Sequence, residues 1–131
     1  MPATAYLANL IAVAAKGGAS YQGPTNIYLE LCSDTPTSTV AGTPVVYTNY
    51  ARVAYVQSDW ASDGAGKLAN TGAINFPDPG GGEDIVVAVE AWDAASGGTR
   101  LWYEILGDVM EVVDNTPSIL FAPGALTWTV I

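Results

Sequence analysis

Residues 84–93 read DIVVAVEAWD, and they are followed by AASGG (94–98) and RLWYEIL (100–106). Ile85, Val87, Val89 and Ala91 alternate onto one face. Val86, Ala88, Glu90 and Trp92 form the other, which is also mostly apolar. A run that is apolar on both faces predicts a central strand. The small-residue turn and the aromatic run after it predict an antiparallel hairpin.

The same period of two continues on either side. NIYLELCS (26–33) sets Ile27, Leu29 and Leu31 against Tyr28, Glu30 and Cys32. Residues 44–47 suit a short edge strand, since Pro44 is tolerated at a strand start. NYARVAYVQSDW (49–60) is expected to be one strand, with Arg52, Ala54 and Val56 facing away from Val53 and Tyr55. KLANTGAINF (67–76) is a strand or a strand pair around Gly72. Residues 110–113, 118–121 and 126–131 are the last short strands, with a Pro123-Gly124 turn between the final two. Turns separate them at 61–66 and 77–82, and 33–42 is a longer Pro- and Thr-rich loop. The expected fold is mainly β, an antiparallel β-sandwich or small barrel of about 7–9 strands.

Residues 2–16 break this period. Ala3, Leu7, Leu10, Ile11 and Ala14 fall on one helical stripe, and Gly17-Gly18 supplies a C-terminal stop. No Lys or Arg precedes the apolar run, which argues for a helix of the folded protein over a secretory signal. Its polar face is thin, so it is expected to be buried in its own domain or pressed on a partner. The chain of 131 residues is expected to be one domain, with helix and cap over 1–18 and the β-domain over 24–131.

Thirteen acidic residues face four basic ones, Lys16, Arg52, Lys67 and Arg100, for a net charge of −9. Phosphate neutralisation needs cations that are scarce here, so neither nucleic acid nor an anionic membrane is an expected partner. Cys32 is the only cysteine, which excludes an intramolecular disulfide and a CxxC site; its strand phase suits a buried thiol. With no histidine, Ser-His-Asp and Cys-His catalysis are excluded, and the commonest zinc ligand is missing. Glu83 with Asp84, Asp59 with Asp63, and Glu90 with Glu104 across the hairpin are the available carboxylate pairs. A chain of this size and lining suits a glycosidase poorly. Asp59, Asp63, Asp78, Glu83 and Asp84 lie where calcium ligands gather, but without the EF-hand pattern they read as solvated loop acids. No enzyme activity, cofactor or metal is expected.

Trp60, Trp92, Trp102 and Trp128 admit three uses: core packing, a protein interface, or stacking on sugar rings. Trp128 is in phase with Leu126 and Val130, a core phase, and Trp92 and Trp102 are placed to meet across their hairpin. Packing or interface burial is the favoured reading.

An ordered set of short units gives a further lead. The apolar helix ending in Gly-Gly is followed by Thr25–Cys32, Asp34-Thr35-Pro36-Thr37, Tyr50-Ala51-Arg52-Val53 and Trp60–Gly66. Asn-x-Gly-x-Ile-x-Phe-Pro (70–77), WDAASGG (92–98) and F-x-x-G-x-L-T-W-T (121–129) complete it. The series resembles small virion proteins of tailed bacteriophages, described as capsid decoration (cement), head-fibre or tail-fibre proteins. This chain departs from that pattern in lacking acidic residues in the helix and in carrying Gly80-Gly81-Gly82. The resemblance implies a non-enzymatic module that binds and stabilises the shell, with the major capsid protein as partner and the outer capsid surface as its place after synthesis in the bacterial cytoplasm. It also suggests a homotrimer, since closed symmetry is the norm for such parts. A tail or fibre-base component and a host-glycan module are the alternatives. The residues expected to touch a partner are Leu7, Leu10 and Ile11 on the helix, Asp34, Thr35, Pro36 and Thr37 in the first loop, Arg52, Trp60, and Pro79 and Gly81 in the glycine-rich loop. An internal carboxylate pair for Arg52 is the competing assignment.

Overall fold

The computed structural model describes residues 2–47, 49–77, 82–112 and 119–129. Among these, one helix precedes nine strands: α1 (Ala5–Ala15), β1 (Asn26–Cys32), β2 (Val53–Val56), β3 (Trp60–Ser62), β4 (Lys67–Asn70), β5 (Ile74–Asn75), β6 (Asp84–Trp92), β7 (Arg100–Val112), β8 (Leu120–Phe121) and β9 (Thr127–Thr129). All pairing is antiparallel. One sheet has the order β2-β1-β6-β7, a second β3-β4-β9, and β5 pairs with β8. The fold is thus mainly β with an N-terminal helix, and its sheets stay open instead of closing into a barrel.

β6 is central, as its two apolar faces require. β6 and β1 contribute Val86, Val89, Ala91, Leu29 and Leu31 to one core, Val86 from beyond the register shift that separates it from Ala88. Ile74, Phe76, Phe121, Leu126 and Trp128 come to it from the smaller sheets. Asn70 ties that second layer together. Its side-chain amide donates to the carbonyls of Gly72 and Ala122, its Oδ1 accepts from the Leu126 amide, and its own carbonyl accepts from Gly124.

The expected strand over 49–60 is divided. β2 ends in a 3-10 turn at Gln57–Asp59, where the Asp59 carboxylate accepts from the Val56 amide, and the chain leaves for the second sheet as β3. The expected breaks after Leu106 are instead one long strand. Between the pairs Ala88–Ile105 and Val86–Met110, residues 106–109 of β7 oppose the single Val87, so a large bulge replaces a turn. Pro44 makes only an isolated bridge to Cys32, short of a strand.

α1 is capped by Thr4, whose hydroxyl accepts from the Leu7 amide, and it stops at Gly17, whose φ of +87° favours glycine. Thr4 also fastens the helix to β7: its amide donates to the Leu101 carbonyl and its hydroxyl to that of Arg100. Leu7 is buried there, whereas Tyr6 is 54% exposed and Ala5, Ala8, Ala12 and Ala15 face solvent.

Candidate functional site

Two features of the surface-facing side of the fold bear on function. The first is a layer of buried charge on the outer face of β1 and β6. Register places Glu30 opposite Glu90. Arg52 Nε donates to Glu30 Oε1 at 3.2 Å, and its NH1 donates to the carbonyls of Ala94 and Gly97 at 2.8 Å each. Its guanidinium lies 4.2 Å from the Trp92 ring centroid. Arg100 NH1 donates to Glu90 Oε2 at 2.7 Å, and NH2 donates to the Thr37 carbonyl. Glu90 also accepts from the Gly42 amide and from the Cys32 thiol at 3.2 Å. Burial raises the Glu30 carboxyl above the usual carboxylate range, and Arg52 opposes that shift. Burial and then Glu90 push the Cys32 thiol up, so it stays protonated.

Glu30, Cys32 and Glu90 bring potential ligand atoms within 4.8 Å of one another. Two arginines already balance the two carboxylates, and the thiol donates its proton to one of them. The group therefore works as an internal ion-pair layer that holds the loop 33–43 down on the sheet, with Glu30 Oε2 buried and without a hydrogen-bond partner among the described residues.

The second feature is a groove. Segment 21–25 and the turn after β2 border an open depression of about 910 Å³, lined by Gln22, Thr25, Val56, Gln57, Ser58 and Trp60. A more apolar recess of about 360 Å³ continues from it over Trp60, Leu68, Trp102 and Trp128, with Gly23, Pro24 and Gln57 common to both. The three tryptophans form a stack: Trp128 lies between Trp60 at 4.0 Å and Trp102 at 4.4 Å, centroid to centroid.

The residues expected at a partner surface are distributed unevenly. Leu7 and Pro36 are buried and offer a partner nothing, because both pack within the chain. Leu10 and Ile11 are partly buried. Asp34, Thr35 and Thr37 are exposed, but Asp34 is stapled to Thr43: Oδ2 accepts from the Thr43 hydroxyl at 2.7 Å and Oδ1 from its amide. Arg52 is internal, the competing assignment, since every donor interaction above is within the chain. Trp60 is half-buried and lines the groove. Pro79 and Gly81 lie outside the described residues, as does Asp78.

Other pairings also differ from expectation. Glu90 faces Tyr103 while Glu104 faces Val89, so these carboxylates occupy opposite faces of the sheet. The hairpin register pairs Trp102 with Ala91, so Trp92, the next residue along β6, lies on the other face, and it pairs with Arg100 beyond a register shift. The two tryptophans therefore part, Trp102 towards the core stack and Trp92 under Arg52. Asp59 and Asp63 serve turns, Asp63 accepting from the Ala65 and Lys67 amides. Glu30 is the residue of the charge layer that sequence reasoning missed. Its phase with Tyr28 and Cys32 was visible, but the partner strand was not.

The short units quoted above are the joints of this framework. Tyr50 grips β1, its hydroxyl accepting from the Leu31 amide at 2.9 Å, just before Arg52 enters the charge layer. Asn70 locks the second sheet, and Asp93 closes the WDAASGG hairpin by accepting from the Thr99 amide. A family model described as "Podophage GP4 fiber I protein gp80" matches residues 2–129, which takes in all of these joints. The chain belongs to this family. It is a structural virion protein family of tailed phages, in keeping with the resemblance drawn from the motif series. No curated protein sequence matches the chain. In this gp80 family member, the motif residues hold the fold, and the helix face around Tyr6 and the tryptophan groove are two of the surfaces that the described residues leave open.

Proposed function

We propose that the chain is a non-enzymatic fibre component of a tailed-phage virion, a small rigid β-domain that attaches to the particle and presents its loops and groove outward. The observation that carries this reading is the family match, which spans 2–129 and bears the fibre description. The chemistry agrees with it. The buried carboxylates Glu30 and Glu90 are spent on internal ion pairs, and no histidine is present to run acid–base chemistry near neutral pH. Attachment falls to exposed apolar surface, for which the solvent-facing side of α1 around Tyr6 is the first candidate.

Capsid decoration is the second reading, favoured by the ordered motif series, with the major capsid protein as partner and a homotrimer as the assembly. A module that binds only the assembled lattice would stabilise it by mass action. Cryo-electron microscopy of the parent virion separates the two. Density fitting this domain on the tail or its fibres supports the fibre reading; density on the head lattice, as trimers at threefold positions, replaces it with decoration. Light scattering of the purified chain tests the trimer directly.

A further inference from the structure

We propose that the groove beside Trp60 is a binding site for a neutral saccharide. No Asp, Glu, Lys or Arg lines either part of it, although the protein carries a net charge of −9. What lines it instead is amide, hydroxyl and indole. The side chains of Gln22, Gln57 and Ser58 are exposed and make no hydrogen bond to the rest of the described chain. A primary amide offers donors and an acceptor side by side, and a hydroxyl offers both, which is the complement of a sugar hydroxyl.

Trp60 supplies the apolar half of the site. An indole face is electron-rich, and a pyranose presents a patch of weakly positive C–H groups on one face with its hydroxyls at the rim. Trp60 is held in place by Trp128, itself backed by Trp102, so the platform is ordered before any ligand arrives. The 3-10 turn Gln57–Asp59 fixes Gln57 and Ser58 beside it. An acidic sugar or a phosphate would find no cation in the groove, and the acidic surface would repel it. The volume is in the range of small-ligand sites. The inference rests on the groove alone and holds whether the domain sits on a fibre or on the head.

The test uses the full chain. An array of neutral oligosaccharides built from glucose, galactose, rhamnose and N-acetylglucosamine, with sialylated and uronic-acid glycans as the counter-set, is followed by saturation-transfer NMR titration of the strongest neutral hit. The expected result is binding of neutral and not acidic glycans, with Gln57→Ala weakening it about tenfold and Gln22→Ala lowering it further when combined. Trp60→Leu is expected to abolish binding, with its fold checked by NMR; because Trp60 also supports the core, the two exposed glutamines decide the outcome if that variant fails to fold. Absence of any neutral hit, a preference for the acidic set, or unchanged affinity in the Gln22→Ala/Gln57→Ala pair overturns the proposal.

Discussion

Glu30 and Glu90 face one another in register across β1 and β6, two buried carboxylates side by side, and each is met by a different arginine. This explains how so acidic a chain tolerates acid in its interior. Two of its four cations are committed to that single layer. Arg100 reaches across it to the Thr37 carbonyl and Glu90 to the Gly42 amide, so the layer also fixes the loop above the sheet.

Removing one member should therefore cost far more than removing a pair. Arg100→Met strands Glu90, which is fully buried, and is expected to destabilise the fold by about 3–5 kcal/mol. Adding Glu90→Leu in the same chain is expected to recover a substantial part of that loss. Urea denaturation of the three proteins measures both. A double variant no more stable than Arg100→Met would mean that Glu90 serves mainly the loop amide and the thiol.

Two carboxyls should give pH dependences of opposite sign. Glu30 is raised by burial, so between its unfolded and folded pKa the folded state holds the extra proton. Stability then falls as pH rises from the ordinary carboxylate range through the raised value, and Glu30→Gln is expected to flatten that fall. Asp34 is lowered by the Thr43 hydroxyl and then the Thr43 amide. Its contribution is present above the ordinary carboxylate value and lost as pH drops through the lowered one, so Asp34→Asn is expected to weaken the acid limb. Thermal melts from about pH 3 to about pH 8 read both slopes.

Cys32 is fully buried and its thiol is held protonated. Iodoacetamide is expected to label the native protein only as fast as the β1 region opens, and to label it fully in urea. Rapid labelling without denaturant would show that the loop 33–43 does not seal the sheet.

Gly42 passes close over Cys32. A Cβ there would fall 2.9 Å from Cys32 Cβ and 3.0 Å from Sγ. Gly42→Ala is expected to cost about 1–3 kcal/mol; Cys32→Ala in the same chain removes the Sγ contact but keeps the nearer Cβ one, so it is expected to leave most of that cost in place. Gly72→Ala, with nothing within 4 Å of the added carbon, is the control and should lie within about 0.5 kcal/mol of the parent. Urea midpoints of the four proteins decide the matter.

The fold was legible wherever one residue's phase settled its face. Leu29, Leu31, Val89 and Trp128 are in the core as alternation requires, whereas Val86 joins them out of phase, across the register shift between Val86 and Ala88; the strand pair around Gly72 is found as β4 and β5. What escaped was register. The register that pairs Ala91 with Trp102 puts Trp92 and Trp102 on opposite faces, and no local pattern announces it. The charge layer was hidden for the same reason: Glu30 and Glu90 lie 60 positions apart, and only the pairing of β1 with β6 joins them. Burial of Leu7 together with exposure of Tyr6 reflects where α1 meets β7, which the nearly all-apolar helix sequence left undetermined. The groove joins segment 21–25 to the turn after β2, two regions that sequence alone had no reason to connect.

β7 is the margin of its sheet, and a margin thirteen residues long is a template on which another copy of the chain could zip itself by main-chain hydrogen bonding. The start of that margin is occupied by the chain's own first residues: Ala3 bridges Trp102, and the Pro2 carbonyl accepts from the Tyr103 amide. Farther along, residues 106–109 form the bulge opposite Val87, with Gly107, Asp108 and Val109 exposed. Open-ended stacking of sheets is thereby discouraged at both stretches. An edge covered at one end and bulged at the other is a poor template for adding a further strand.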